Sequence, residues 1–262
     1  MTIRIYQVDA FTDHVFGGNP AAVCPLDQWI DDRLMQNIAL ENNLAETAFL
    51  VNEGTNVGIR WFTPTVEVDL CGHATLASAY VLFHYEGFQG SEINFQSPRS
   101  GKLTVRRDGE MLTMNFPADI YSSVPVTDQI SAGVSVKPLE IFRGKTDYMF
   151  VYGDEQDVKS MVVNMNEIAK LPCRGVIVTA PGKEVDFVSR FFAPQSGVNE
   201  DPVTGSAHTT LTPYWSKRLG KRLLRATQLS ARQGQLVCRD LDARVEISGT
   251  ARSYLRGEIE IR

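Results

Sequence analysis

Apolar positions alternate with polar ones from Ile3 to Val8, which predicts a first strand. From Asp31 to Glu41 the spacing of Leu34, Ile38 and Leu40 is helical, and Asp31 or Asp32 suits the N-terminal turn. The chain then passes through Asn42-Asn43-Leu44-Ala45 into Glu46 and the apolar run Thr47–Val51, a buried strand with a glutamate at its mouth. Val57–Phe62 predicts the next strand, stopped by Pro64. The segment from Gly72, GHATLASAYVLF, is apolar nearly all round, so it predicts a core helix with a sheet wrapped around it. Strands at Ser91–Phe95, Lys102–Arg106 and Met111–Asn115 are available for that sheet, the last two joined by a hairpin at Asp108-Gly109. Pro117–Asp128 has the composition of a connection between domains. The second half predicts strands at Pro138–Phe142, Tyr148–Val151, Gly175–Thr179 and Val185–Phe192, with a short helix near Val158. A helix from Gly205 follows, then strands at Gly234–Arg239, Arg244–Ile247 and Gly257–Ile261. Strands predominate, with one long buried helix per half, and the class is α+β.

The two halves repeat one another. Arg60, Phe62, Pro64 and Val68 match Arg190, Phe192, Pro194 and Val198 at an offset of 130 residues. Gly72 and Ala74 match Gly205 and Ala207 at 133, and Ser97, Arg99, Gly101, Leu103 and Arg106 continue that offset onto Ser230, Arg232, Gly234, Leu236 and Arg239. Self-similarity of this kind predicts one unit used twice, here a first domain over residues 1–118 and a second over 119–262. In each copy a strand, a proline and a short loop lead to a glycine that opens a helix. Such a terminus offers backbone N–H groups and the positive dipole end to an anion. Two of them across a pseudo-twofold cleft would hold a small carboxylate, although each loop alone also reads as an ordinary strand-to-helix connection.

The chemistry lies where the copies differ. Cys71 of the first stands opposite Thr204 of the second, so a pair of opposed thiols is absent. The acid–base candidates around the two loops are Cys71, His73, Asp201, His208 and Glu46. Glu46 beside an apolar run is placed where desolvation can bring a carboxylate into the general acid–base range. Its counterpart segment, RGVIVTA from Arg174, holds no glutamate, which makes Glu46 a one-sided base. Asn19 is a candidate substrate-binding amide, and within GGNP it also fits an Asx-type turn.

The 262 residues are 43% apolar with a net charge of −5, which argues against a nucleic-acid or membrane-surface role. Lys217, Arg218, Lys221, Arg222 and Arg225 surround Gly220 where a helix should close, and the dipole accounts for them. Four scattered cysteines without CxxC spacing predict no structural metal site. No apolar run is long enough to span a membrane. The N-terminal MTIRIYQVDAF alternates like a strand without an apolar signal core, and a cytoplasmic location is expected.

With FGGNPAAV, NNLAETAF (Asn42–Phe49), DLCGHAT (Asp69–Thr75) and EDPVTGSAH (Glu200–His208), the chain resembles the PhzF family of phenazine-biosynthesis-type isomerases from end to end. The resemblance implies the diaminopimelate epimerase-like fold: two pseudo-symmetric domains, each a mostly antiparallel, barrel-like sheet around a central helix, with the active site between them. It places a catalytic glutamate on Glu46, a histidine on His73 and an aspartate on Asp201, with Gly72, Gly205 and Ser206 holding the substrate. It further implies a homodimer and a proton shift on a small carboxylate without any cofactor or metal. Cys71 keeps the first thiol position of the related two-cysteine epimerases, and the second is missing. Three readings follow: a one-base isomerase on an amino or unsaturated cyclic carboxylate, a racemase or epimerase pairing Cys71 with Glu46, and a non-catalytic carboxylate-binding protein.

Overall fold

The computed structural model of the chain describes residues 1–261. In chain order its elements begin with β1 (Thr2–Ala10), β2 (Asn19–Leu26), α1 (Asp32–Asn42), β3 (Glu46–Asn52), β4 (Val57–Phe62), β5 (Glu67–Val68) and α2 (Gly72–His84). They continue with β6 (Glu92–Ser97), β7 (Gly101–Asp108), β8 (Met111–Pro117), β9 (Ser122–Val124), α3 (Asp128–Ser131), β10 (Glu140–Arg143) and β11 (Asp147–Val151). Next come α4 (Glu155–Lys159), α5 (Met165–Ile168), β12 (Gly175–Pro181), β13 (Phe187–Phe192), a 3-10 turn at Pro194–Ser196 and α6 (Gly205–Leu219). The chain ends with β14 (Leu223–Gln228), β15 (Gly234–Asp240), β16 (Arg244–Gly249) and β17 (Ala251–Glu260). The class is α+β, as the strand-rich pattern predicts.

The chain forms two compact units, Met1–Asn115 with the segment from Ser248 onward, and Phe116–Ile247. The first boundary lies close to residue 118, but the sequence reading of a second domain running to the end needs correction. Residues from Ser248 return to the first unit, where β17 pairs antiparallel with β1 from Thr2↔Glu260 to Ala10↔Ala251. β1 has β2 on its other side. An alternating strand records which face is buried, not which distant strand completes its hydrogen bonds, so this return leaves no local mark.

Within each unit the same ladder recurs. In the first, β2 runs parallel to β3, β3 antiparallel to β4, β4 parallel to β6, and β6 antiparallel to β7. In the second, β11 is parallel to β12, β12 antiparallel to β13, β13 parallel to β14, and β14 antiparallel to β15. The residue repeat is thus a repeat of topology. The matched arginines carry it: Arg60 pairs with both oxygens of Glu67 at 2.7 and 2.9 Å and lies 5.2 Å from the Phe62 ring. Arg190 does the same with Glu200, at 2.7 and 3.0 Å, 4.9 Å from Phe192. Each fork braces the loop between its strand and its long helix.

α2 is buried at every position from His73 to Phe83 and packs against β1, β2, β3, β7 and β17, so the sheet of the first unit wraps it. That is the fate expected of a helix with no polar face. In the second unit α6 tolerates Pro213 within it, although proline has no N–H for the Thr209 carbonyl. The Asp119 backbone N–H donates to that carbonyl instead, at 3.1 Å. Gly220 then closes α6 in the left-handed conformation (φ 63°) behind Lys217 and Arg218, as the basic cluster suggests.

Candidate active site

Three element starts converge in the first unit. α1 begins on Asp31, whose carboxylate accepts from the Arg33 N–H at 3.0 Å, and ends on Asn43 in the left-handed conformation. The Asn42 amide donates to the Thr47 hydroxyl at 3.1 Å, fixing the short link, and Glu46 opens β3. Parallel register sets Glu46 beside Ala21 of β2, whose first residue is Asn19. Asn19 is therefore a fully buried strand residue rather than part of the turn. The tight bend precedes it at Gly18, where φ is 61° and a Cβ would lie 2.1 Å from the Ala10 carbonyl oxygen. Cys71 is the extended residue just before α2, and His73 sits in its first turn.

His73 is the hub. Its Nε2 lies 3.1 Å from Glu46 Oε2, its Nδ1 3.1 Å from the Asn19 amide nitrogen, and Cys71 Sγ is 3.5 Å from Nδ1 and 3.9 Å from Nε2. The amide can present NH2 or carbonyl to the ring, so Asn19 serves either protonation state. Glu46 Oε2 is buried, and although within ion-pair reach of Nε2 it has no well-aligned hydrogen bond. Burial would lower the His73 pKa, but its acidic neighbours Cys71 and Glu46 outweigh that and hold it well above the usual histidine value. Burial first, and the Glu46 charge second, push the Cys71 thiol up to about 11.

The second unit holds Asp201, Gly205 and Ser206. Thr204 donates its hydroxyl to Asp201 Oδ2 at 2.6 Å, and Gln228 ties the loop by donating to the Asp201 carbonyl at 2.7 Å and accepting from the Thr204 N–H at 2.8 Å. Arg174 donates to Ser206 Oγ at 3.0 Å while paired with Asp147. This Arg174–Asp147 pair escapes sequence reading, because neither residue lies in a repeated motif. His208 is not an acid–base group of the loop. It is fully buried, its Nδ1 bonded to the Thr204 carbonyl at 2.8 Å, and burial pushes its pKa down to about 4.

The two long helices share one more property. α1, α3, α4 and α5 are each capped by a side chain, from Asp31, Thr127, Asp154 and Asn164. α2 and α6, preceded by Cys71 and Thr204, have no side-chain cap. A helix start left uncapped keeps its N–H groups and dipole for another acceptor.

The chain is thus a strand-rich α+β unit used twice, with a largely buried Glu–His–Cys group beside one uncapped helix. The family profile described as phenazine biosynthesis-like protein (PhzC-PhzF) matches residues 8–257. The chain is 49% identical over 261 residues to an uncharacterized isomerase of Pseudomonas aeruginosa, covering 100% of both. A crystal structure of a PhzF family protein from Enterococcus faecalis is 46% identical, covers 100% of both chains and superposes with a TM-score of 0.97. A predicted epimerase from Pseudomonas aeruginosa, 19% identical with 99% of this chain and 100% of the other covered, shares the fold at a TM-score of 0.78. The chain belongs to the PhzC-PhzF, phenazine biosynthesis-like family, and its fold is the diaminopimelate epimerase-like one. No described helix is long and apolar enough to cross a membrane.

Proposed function

We propose that the protein is an isomerase that moves a proton on a small amino or unsaturated cyclic carboxylate, with Glu46 as its general acid–base. The carrying observation is the buried Glu46 Oε2, 3.1 Å from His73 and without an aligned donor. A carboxylate held this way is ready to accept a proton from a substrate carbon. The electron pair left behind moves into the substrate's own conjugated or carboxylate system, and the proton returns from Glu46 to another carbon of the same molecule. His73 holds the base in place and shares its proton. The uncapped start of α2 at Gly72–His73 receives the substrate carboxylate and stabilises charge developing on it. Family resemblance extends substrate binding to Gly205 and Ser206, and a catalytic part to Asp201, with Asn19 a further candidate amide for the substrate. The isomerase names of close relatives support the reaction class.

A second reading is racemisation with Cys71 and Glu46 as unlike bases, favoured by the 3.5 Å contact of Sγ with His73. The upward shift of the thiol weighs against it. Proton exchange followed by NMR in deuterated water, over a panel of amino acids and unsaturated cyclic carboxylates, decides between them. Glu46→Gln should lose exchange by about 10²–10⁴-fold while Cys71→Ser keeps it. Loss in Cys71→Ser alone would transfer the role of base to sulfur. Stabilisation of the protein by a carboxylate that never exchanges would indicate a binding protein instead.

A further inference from the structure

The second unit repeats the arrangement around His73 with a different chemistry. In the first unit Asn19 and Glu46, the first residues of the parallel neighbours β2 and β3, hold His73, the second residue of α2. In the second unit the parallel neighbours are β11 and β12. Asp147 is the first residue of β11, Arg174 immediately precedes Gly175 of β12, and the residue they hold is Ser206, the second of α6. This copy has no room for a counterpart of the Glu46 side chain, because a Cβ on Gly175 would lie 2.8 Å from the Phe192 carbonyl oxygen. Arg174 stands one residue earlier and is fixed on several sides. Its backbone N–H donates to the Thr146 carbonyl at 2.8 Å, and its Nε donates to Asp147 Oδ1 at 2.9 Å while Nη2 engages the other oxygen. The guanidinium also lies 5.2 Å from the Phe191 ring. Asp147 is 4% exposed, and a buried ion pair adds little stability over apolar side chains of the same size, so bracing does not account for it.

The pair orients a hydroxyl. Arg174 Nη2 donates to Ser206 Oγ at 3.0 Å. A guanidinium has no lone pair, so the Ser206 proton cannot point back at it. That proton has no acceptor among the described residues, and Ser206 is only half-buried. A hydroxyl that accepts from a cation is polarised toward donating its own proton. We propose that Arg174 is a positioning residue: held by Asp147, it makes the Ser206 hydroxyl a fixed donor, so that the substrate group meeting Ser206 is a carboxylate or carbonyl oxygen. An ammonium there would set two cations on one oxygen. This deepens the isomerase reading and rests on its placing of Ser206 among the substrate-binding residues.

Double-mutant kinetics in the exchange assay test the positioning, on the panel compound that wild type exchanges fastest. Ser206→Ala should raise KM about 10-fold or more and leave kcat within about twofold, as expected for a lost binding contact. Asp147→Leu/Arg174→Met, which replaces the ion pair by apolar side chains, should do the same. Arg174→Lys, which keeps a donor but not the fork, should fall between, and gives the same comparison should the apolar pair not fold. Combined with Ser206→Ala, neither change should raise KM further, because Arg174 acts only through the hydroxyl. Near-ultraviolet circular dichroism reports folding. Effects that multiply would overturn the proposal, since Arg174 would then touch the ligand itself or merely support the fold; an unchanged KM in the Arg174 variants would overturn it too. Ligand-observed NMR with benzoate, a carboxylate with no proton to shift, separates this outcome from the isomerase reading. A wild type that exchanges no compound but binds benzoate with the same coupled losses would refute the isomerase reading and leave the positioning standing. One that neither exchanges nor binds would overturn both.

Discussion

His208 should make this protein lose stability steeply between pH 7 and pH 5. Its ring is fully buried, 5.9 Å from Phe187, with Nδ1–H donating to the Thr204 carbonyl and Nε2 without a hydrogen-bond partner. Protonation would put a charge and an unanswered N–H in the core of the second unit, which is why burial pushes the pKa down to about 4. In the unfolded chain the same ring titrates near 6.5. From about pH 6.5 down to about 4 the unfolded chain therefore binds a proton that the folded chain refuses, and acid favours unfolding. The full shift corresponds to about 3 kcal/mol, and the part lost between pH 7 and pH 5 to about 2 kcal/mol. His73 has the opposite sign: its raised pKa contributes stability below the unfolded value that is lost as pH rises through the folded one. A comparison with His208→Asn, whose amide can keep the bond to Thr204, removes His73 and the carboxylates from the result. Urea unfolding at pH 7, 6 and 5, followed by fluorescence of the buried Trp215, gives both stability curves. The gap between wild type and variant should close or reverse by about 2 kcal/mol as pH falls. Parallel curves over that range would show that His208 is not held neutral by its burial.

Two further outcomes follow from the frame around the site. Arg190→Met should cost about 3 kcal/mol in urea unfolding, since it leaves Glu200 without its fork and the carbonyls of Val158 and Met161 without a donor; a loss under about 0.5 kcal/mol would reduce the brace to an ordinary surface pair. Gly18→Ala should destabilise by more than about 2 kcal/mol, combining left-handed strain with a collision against the Ala10 carbonyl, and it should disturb Asn19 next door. An alanine variant that melts with wild type would mean the bend is freely remodelled.

The duplicated residues and the chemical ones separate cleanly. Arg60 and Arg190, present in both copies, are braces, whereas Glu46, Cys71 and His73, whose counterparts Gly175, Thr204 and Ser206 differ in kind, form the proposed reactive group. Comparing the copies therefore offered these residues as candidates before any geometry was known. Asn19 was legible only by half, because GGNP signals a bend and the bend ends one residue earlier. His208 was misleading: a histidine beside a glycine loop suggests chemistry, but helical periodicity turned it into the core.

The sequence by itself determined the α+β class, the repeat, the burial of α2 and the residues from which a site could be made. Those are consequences of local pattern: periodicity, turn chemistry and motif spacing act over a few residues. Tertiary structure alone decided that β17 closes on β1, that Asn19 supports His73, and that Arg174 and Asp147 stand beside Ser206. Each joins residues far apart in the chain, and no local preference encodes which distant partner completes a hydrogen bond or repels a proton.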